Sequence, residues 1–299
     1  MTRLSRPEVL VNFGYNRDPF EGTWMETADQ ARLKRVLAMS VQSRGMVAVA
    51  GDRGIGKTEA VRTALDAMNA KLVMVRPADK ERLLISDIEQ EMIFALSDEH
   101  PRRGKVIRTQ QLRRVLGEAS RKNEVVLVIE EAHRLHSQTL RSLKTLRELD
   151  WMGKTKLFSV VLVGQSNPTN KAGLAEVRLR SDCIQLQGLS SQEAASYVRG
   201  TVGAVFAETA LFEVLRQPRI SNFLDLQHLL ITAMGRALAA GREKVEPQDL
   251  AGDAAEAPAP GKRGKAAVAG DPQKGSEAVR SVLSRRLGES TPEPLQATG

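Results

Sequence analysis

The chain has 299 residues, enough for one large domain or two smaller ones. A 41% hydrophobic share supports a real core, while no apolar run approaches the ~20 residues of a membrane helix, and the single cysteine, Cys183, excludes an intramolecular disulfide. The net charge of +8 suits an anionic partner such as nucleic acid or acidic lipid, and it equally suits solubility alone.

Met1 to Leu10 is polar and carries Arg3, Arg6 and Glu8, so no secretory leader is expected. With the lone cysteine this fits a reducing, cytoplasmic setting. Residues 1–24 lack clear periodicity and are read as an amino-terminal arm. Its Asn12-Phe13-Gly14-Tyr15 and Asp18-Pro19-Phe20 would touch an adenine or simply cover apolar surface. Thr27 is expected to cap a helix running to about Arg44.

Met46 to Ala50 reads as a strand. It leads into Gly51-Asp52-Arg53-Gly54-Ile55-Gly56-Lys57-Thr58, which fits G-x-x-x-x-G-K-[ST] at every fixed position. In such a loop, backbone N–H groups converge on phosphate oxygens. Lys57 reaches the β- and γ-phosphates, and the Thr58 hydroxyl ligates Mg²⁺. A helix from Glu59 to Met68 follows, with its positive end toward the anion. Gly51 through Glu59 are therefore candidate ATP contacts.

Lys71 to Val75 is the second strand, ended by Pro77, followed by a helix over about 83–96. A basic loop, His100 to Lys105, precedes a helix over Thr109 to Lys122. Val125 to Ile129 is a strand fit for burial on both faces, and it ends in Glu130-Glu131. Carboxylates at the carboxyl end of such a strand are where an open α/β sheet places ligand chemistry. Glu130 is expected to hold Mg²⁺ through water, and Glu131 to orient or activate the attacking water.

Ser137 is read as the cap of a helix to Leu149 whose Arg141, Lys144 and Arg147 share one side. Lys156 to Gly164 is another buried strand. The polar residues after it, Gln165, Ser166 and Asn167, would touch a γ-phosphate or form a turn with Pro168. Arg178 and Arg180 lie in the next segment, and Cys183 to Gln187 is a fifth strand. From 189 to 250 only helical patterns follow: Ser190 to Val202, Glu208 to Gln217, Ser221 to Ala240 and a piece near Pro247 to Leu250. Residues 251–276 are built of small and charged residues and read as a disordered linker. Within the tail 277–299, Glu277 to Leu287 is weakly amphipathic: a partner-docking helix or a frayed end. His133 and His136 are near in sequence, yet two ligands do not make a zinc site.

The phosphate loop, the acidic pair after the third strand, the polar tip after the fourth and the helical region after the fifth together resemble the AAA+ ATPases over roughly residues 25 to 250. Phe13-Gly14, Pro19-Phe20, Ile129-Glu130-Glu131-Ala132-His133 and Val163-Gly164-Gln165 look like one subgroup. It holds the target-selecting ATPases of transposons and transposing phages (phage Mu transposition protein B, TnsC-like and IstB-like helpers), related to ExeA-like ATPases.

The resemblance implies an α/β fold: a P-loop AAA+ core over 25–188, with a parallel five-stranded sheet flanked by helices, and a small all-helical lid over 189–250. By position, Gly51, Gly56, Lys57 and Thr58 would be Walker A, Glu130 and Glu131 Walker B, and Gln165 or Asn167 sensor 1. Arg219 would be the lid's sensor 2, and Arg178 or Arg180 the finger that reaches a neighbour's ATP. Two departures stand out. Walker B reads Glu-Glu rather than Asp-Glu, and only about two dozen residues precede the first helix, where the Mu protein carries a DNA-binding domain.

The implied activity is ATP-dependent assembly on duplex DNA, as filament or ring, that delivers target DNA to a transposase docked on the tail. Arg102, Arg103, Lys105, Arg108, Arg141, Lys144, Arg147 and Lys154 are the expected phosphate contacts, with little sequence preference. An ExeA-like assembly ATPase at the membrane and a helicase loader that binds single strands remain as alternatives, as does a nucleotide-binding scaffold without turnover.

Overall fold

The computed structural model describes residues 4–22, 25–76, 83–216 and 222–250. Pro77, Arg219, the linker 251–276 and the tail 277–299 lie outside the described residues.

Five short strands form one parallel sheet: β1 (Met46–Ala50), β2 (Lys71–Val75), β3 (Val125–Ile129), β4 (Ser159–Gly164) and β5 (Asp182–Gln185). Their order is β2-β3-β4-β1-β5. The central strands β1, β3 and β4 are buried at every residue, as the unbroken aliphatic runs predict for a sheet covered on both faces. The edge strands β2 and β5 keep exposed polar positions.

Alternation along the strands divides two cores. Met46, Ala48, Leu127, Ile129, Val160 and Leu162 face one layer, and Val47, Val49, Val126, Val128, Val161 and Val163 the other. The first layer holds α4 (Ile85–Leu96), α5 (Lys105–Lys122), α6 (Ser137–Arg147) and α7 (Ala175–Arg178). The second holds α2 (Ala28–Gln42) and α3 (Lys57–Asp66). The Thr27 hydroxyl caps α2, accepting from the Gln30 N–H at 3.2 Å.

Several boundaries differ from the sequence reading. Helix α5 begins at Lys105, four residues before Thr109, so the end of the basic loop is helical. The cap of α6 is His136 rather than Ser137: its Nδ1 accepts from the Gln138 N–H at 3.2 Å. Strand β4 begins at Ser159, and β5 ends at Gln185.

Residues 189–250 carry helices with their own core: α8 (Ser191–Thr201), α9 (Glu208–Arg216), α10 (Phe223–Ala239) and α11 (Pro247–Leu250). The amino-terminal arm joins this core. It contains a helix, α1 (Arg6–Asn12), whose Val9 and Leu10 are buried beside α10, and Phe20 stacks on Tyr197 with ring centroids 6.2 Å apart. Among the two roles left open for the arm, this is the covering of apolar surface.

Candidate functional site

The carboxyl ends of β3, β4 and β1 lie side by side in that order. The register pairs Ala50 with Gly164 and Ile129 with Leu162. Consequently the phosphate loop, the tip after β4 and the acidic pair meet at one edge of the sheet.

Gly54 and Gly56 both have φ of +87°, a left-handed conformation that side chains resist. Gly56 is the residue before α3, so the first-turn N–H groups of a ten-residue helix open into the loop. Ile55 is buried among the apolar residues under α2 and α3 and anchors the loop, while Asp52, Arg53 and Glu59 are exposed. Gly51 lies against Leu186, just past β5. The loop also meets the start of α10: a Cβ on Gly54 would lie 2.8 Å from Asn222 Oδ1 and 3.0 Å from Leu224 Cβ. Lys57 folds back and donates from Nζ to the Asp52 carbonyl at 2.8 Å. Burial pushes its ammonium below the ordinary lysine range, opposed by the negative charges of Glu131 and Asp52.

Glu130 is 6% exposed. One carboxylate oxygen pairs with Arg76, and Oε1 is buried without a hydrogen-bond partner. An orphaned buried carboxylate oxygen is costly unless a cation or donor meets it. Together with the half-buried Thr58 on the first turn of α3 it fits a magnesium site completed by phosphate oxygens and water. No group of three or more His, Cys, Asp or Glu side chains suited to a metal occurs among the described residues.

Glu131 adopts φ +49°, ψ +30°, uncommon outside glycine, and turns the chain into a short 3-10 segment, Ala132–Arg134. That turn brings His133 back to the site. His133 Nδ1 accepts the Gln165 N–H at 3.3 Å, and Nε2 lies 3.7 Å from Glu131 Oε2. His133 and His136 therefore serve separate places, one at the acidic pair and one at the head of α6. Sequence reasoning missed His133 here; its position two residues after Glu131 was the available signal.

Past β4, the two sensor candidates separate. Gln165 is exposed at the site. Asn167 is turned away to cap the 3-10 segment Pro168–Asn170, its Oδ1 accepting from Thr169 N at 2.9 Å and Thr169 Oγ1 at 2.8 Å. Arg178 and Arg180 are both exposed at the end of α7, where Leu174 and Val177 anchor the segment. Arg180 is paired with Glu148 at 3.0 Å.

The eight expected DNA contacts do not form one surface. Arg102, Arg103 and Lys105 are exposed at the head of α5. Arg108 is 9% exposed and its Nε donates to Glu89 Oε2 at 2.9 Å, while NH1 braces the Arg102 and Arg103 carbonyls at 3.4 Å. Buried and paired, this guanidinium braces the loop before α5 rather than facing solvent. Arg141 donates to the Gly173 carbonyl at 3.3 Å, and Lys144 pairs with Glu176 at 2.6 Å. Arg147 donates to the Arg44 carbonyl at 2.7 Å, and Lys154 to the Ser120 carbonyl at 2.6 Å. These last two sit at the amino-terminal edge of the sheet. The 18-residue α5, about 27 Å long at 1.5 Å per residue, separates them from Arg102 to Lys105.

Residues 39–170 match the family model described as an AAA domain. Among solved structures, the chain is similar to Cdc6p from Pyrobaculum aerophilum (TM-score 0.54, 18% identity, covering 80% of this chain and 69% of that one). The ORC2 protein of Aeropyrum pernix gives a TM-score of 0.53 at 13% identity over 80% and 69%. Drosophila ORC bound to DNA gives 0.53 at 15% over 82% and 64%. No curated protein matches in sequence. At these identities the likeness is one of fold.

Proposed function

We propose that this chain, built on a P-loop AAA+ core with an AAA domain over residues 39–170, is an ATP-dependent ATPase that assembles on duplex DNA and selects targets for a transposase. One observation carries the ATPase reading: the order β3-β4-β1 gathers the acidic pair, Gln165 and the phosphate loop at one sheet edge. The A. pernix ORC2 protein, which shares the fold, is described in ADPNP and ADP complexes, and Drosophila ORC is described bound to DNA. The transposition part rests on the sequence marks around Phe13, Pro19, Ile129 to His133 and Val163 to Gln165 alone.

In this reading Lys57 and the N–H groups of the loop bind the phosphates. Thr58 and Glu130 would hold Mg²⁺, which supplies charge neutralisation at the phosphates. Glu131 orients the attacking water and takes its proton. Gln165 contacts the γ-phosphate, and Arg178 reaches the ATP of a neighbouring copy in a filament or ring. Arg178 is favoured over Arg180, whose guanidinium is already paired. Arg219 and the docking tail keep their proposed roles outside the described residues. Duplex contacts fall to Arg102, Arg103 and Lys105. No described helix is long and apolar enough to cross a membrane.

The test is binding to duplex and single-stranded DNA with ATP, ADP or neither, at two salt concentrations, with images by electron microscopy and Lys57→Ala as control. Filaments or rings on duplex DNA that need ATP and Lys57 support the proposal. A single-strand preference would favour a helicase loader, and no DNA binding under any nucleotide would refute it.

A further inference from the structure

Glu131 stands on a left-handed residue with its side chain half exposed, and it has three rotatable bonds. Left to itself, such a carboxylate spreads over many rotamers. The structure places an imidazole nitrogen beside it, just beyond hydrogen-bond distance. Because His133 Nδ1 accepts the Gln165 N–H, the ring proton of the neutral imidazole sits on Nε2, and that nitrogen faces Glu131 Oε2 at 3.7 Å. The ring is brought this close to β4 by Gly164. A Cβ there would lie 3.0 Å from the His133 backbone nitrogen and 3.2 Å from Nδ1.

We propose that His133 is a positioning residue for ATP turnover: anchored on the Gln165 N–H, its Nε2–H closes the remaining gap to the Glu131 carboxylate when nucleotide binds and fixes it relative to the end of β4. The inference rests on Glu131 orienting the attacking water, as read above. His133 does not touch phosphate in this arrangement. It sets where Glu131 points, and it does so relative to Gln165, the residue read as meeting the γ-phosphate. Displacement of the β4 tip is passed through one imidazole to the carboxylate. The consequence is a change in kcat without a matching change in nucleotide affinity, because Glu131 is used in the transition state rather than in holding bound ATP.

The experiment uses the full chain with ATP, Mg²⁺ and duplex DNA. It compares wild type with His133→Ala, His133→Asn, His133→Gln and Glu131→Gln. Three quantities are read: kcat and KM for ATP, affinity for a fluorescent ATP analogue, and melting temperature. Asparagine places an amide oxygen near Nδ1 and keeps only the Gln165 contact; glutamine places an amide nitrogen near Nε2 and restores the donor toward Glu131.

His133→Ala and His133→Asn should lower kcat by about tenfold or more, in line with misplacing a catalytic group. Analogue affinity should stay within about twofold, and His133→Gln should recover most of the kcat. Unchanged kcat in His133→Ala overturns the proposal. So does an equal fall of kcat, affinity and melting temperature in all three His133 variants, which is the mark of a merely structural residue. Glu131→Gln separates the two levels. If turnover survives it, the reading of Glu131 itself fails; if it abolishes turnover while His133→Ala does not, only the role of His133 fails.

Discussion

The contact between the phosphate loop and the start of α10 can be isolated with two glycines that share the same positive φ. Gly54 and Gly56 both have φ of +87°. At Gly56 an added Cβ would meet nothing closer than Phe223 Cδ2 at 4.0 Å, so Gly56→Ala reports left-handed strain alone, about 1–2 kcal/mol. At Gly54 the same Cβ lies 2.8 Å from Asn222 Oδ1 and 3.0 Å from two Leu224 carbons. Asn222 cannot simply swing aside. It is 6% exposed, and it caps α10 by accepting the Asp225 N–H at 2.8 Å while donating to Asp225 Oδ2 at 2.6 Å. Overpacking there adds about 1–3 kcal/mol. For a chain of this size each kcal/mol moves the melting temperature by about 2–4 °C. Thermal melts should therefore place Gly54→Ala at least ~2 °C below Gly56→Ala. Equal melting temperatures would mean that α10 does not rest on the loop in solution, and the geometry argued for the site would be wrong.

Other outcomes follow from the same contacts. Arg108→Ala leaves Glu89 buried without its partner and should cost about 3–5 kcal/mol in denaturant melts, because a buried charge loses its pair. Alanine at Arg102, Arg103 and Lys105 should instead leave the melt unchanged and weaken duplex binding, with a salt dependence shallower by about one unit of slope per residue removed. Arg178→Ala should lower DNA-stimulated ATP turnover about tenfold or more. By contrast Arg180→Ala, which breaks one exposed pair with Glu148, should change stability by about 1 kcal/mol or less and turnover little. A larger turnover loss in Arg180→Ala would reverse the assignment of the finger.

The sheet and the phosphate loop were legible because their signals are local. Val125 to Ile129 needs only its own aliphatic run to be read as a buried strand, and Gly51 to Thr58 carries its conformation in its glycines. The arm was not legible in that way. Helix α1 buries only Val9 and Leu10, and it does so against α10, more than two hundred residues away. Its local sign was the Ser5–Glu8 capping box with Pro7 in the first turn, a pattern of hydrogen bonds rather than of hydrophobic period. The partners of the basic residues were hidden for a related reason. Charge at three-residue spacing on α6 suggested an open face, but Arg141, Lys144 and Arg147 each find a partner on a segment distant in sequence. Composition reports that a cation is present, and only the fold reports which neighbour its side chain is held against.

The position of β1 explains how a change at the phosphates can reach the helical region. β1 lies between β4 and β5, so the loop that follows it has the β4 tip on one side and the exit of β5 on the other. The chain leaving β5 turns at Gly188, φ +99°, before α8. That turn is held from outside: Asp29 at the head of α2 accepts the Gln187 and Gly188 N–H groups. In return Glu193 on α8 accepts the Ala28 N–H at 2.7 Å. Helix α2 packs on α3, whose first turn is the end of the phosphate loop. Besides the packing of Gly51 on Leu186, two routes join the loop to the helices, one direct through Gly54 and Asn222 and one through α3, α2 and the Asp29–Glu193 pair of contacts. Asp29→Ala removes the acceptor for two backbone donors without touching the loop. It should loosen the second route alone: nucleotide affinity should stay within about twofold while hydrogen exchange at Gln187 and Gly188 rises. Protection at those two amides that is unaffected by the substitution would show that Asp29 does not hold the turn at Gly188, and would refute its part in the second route.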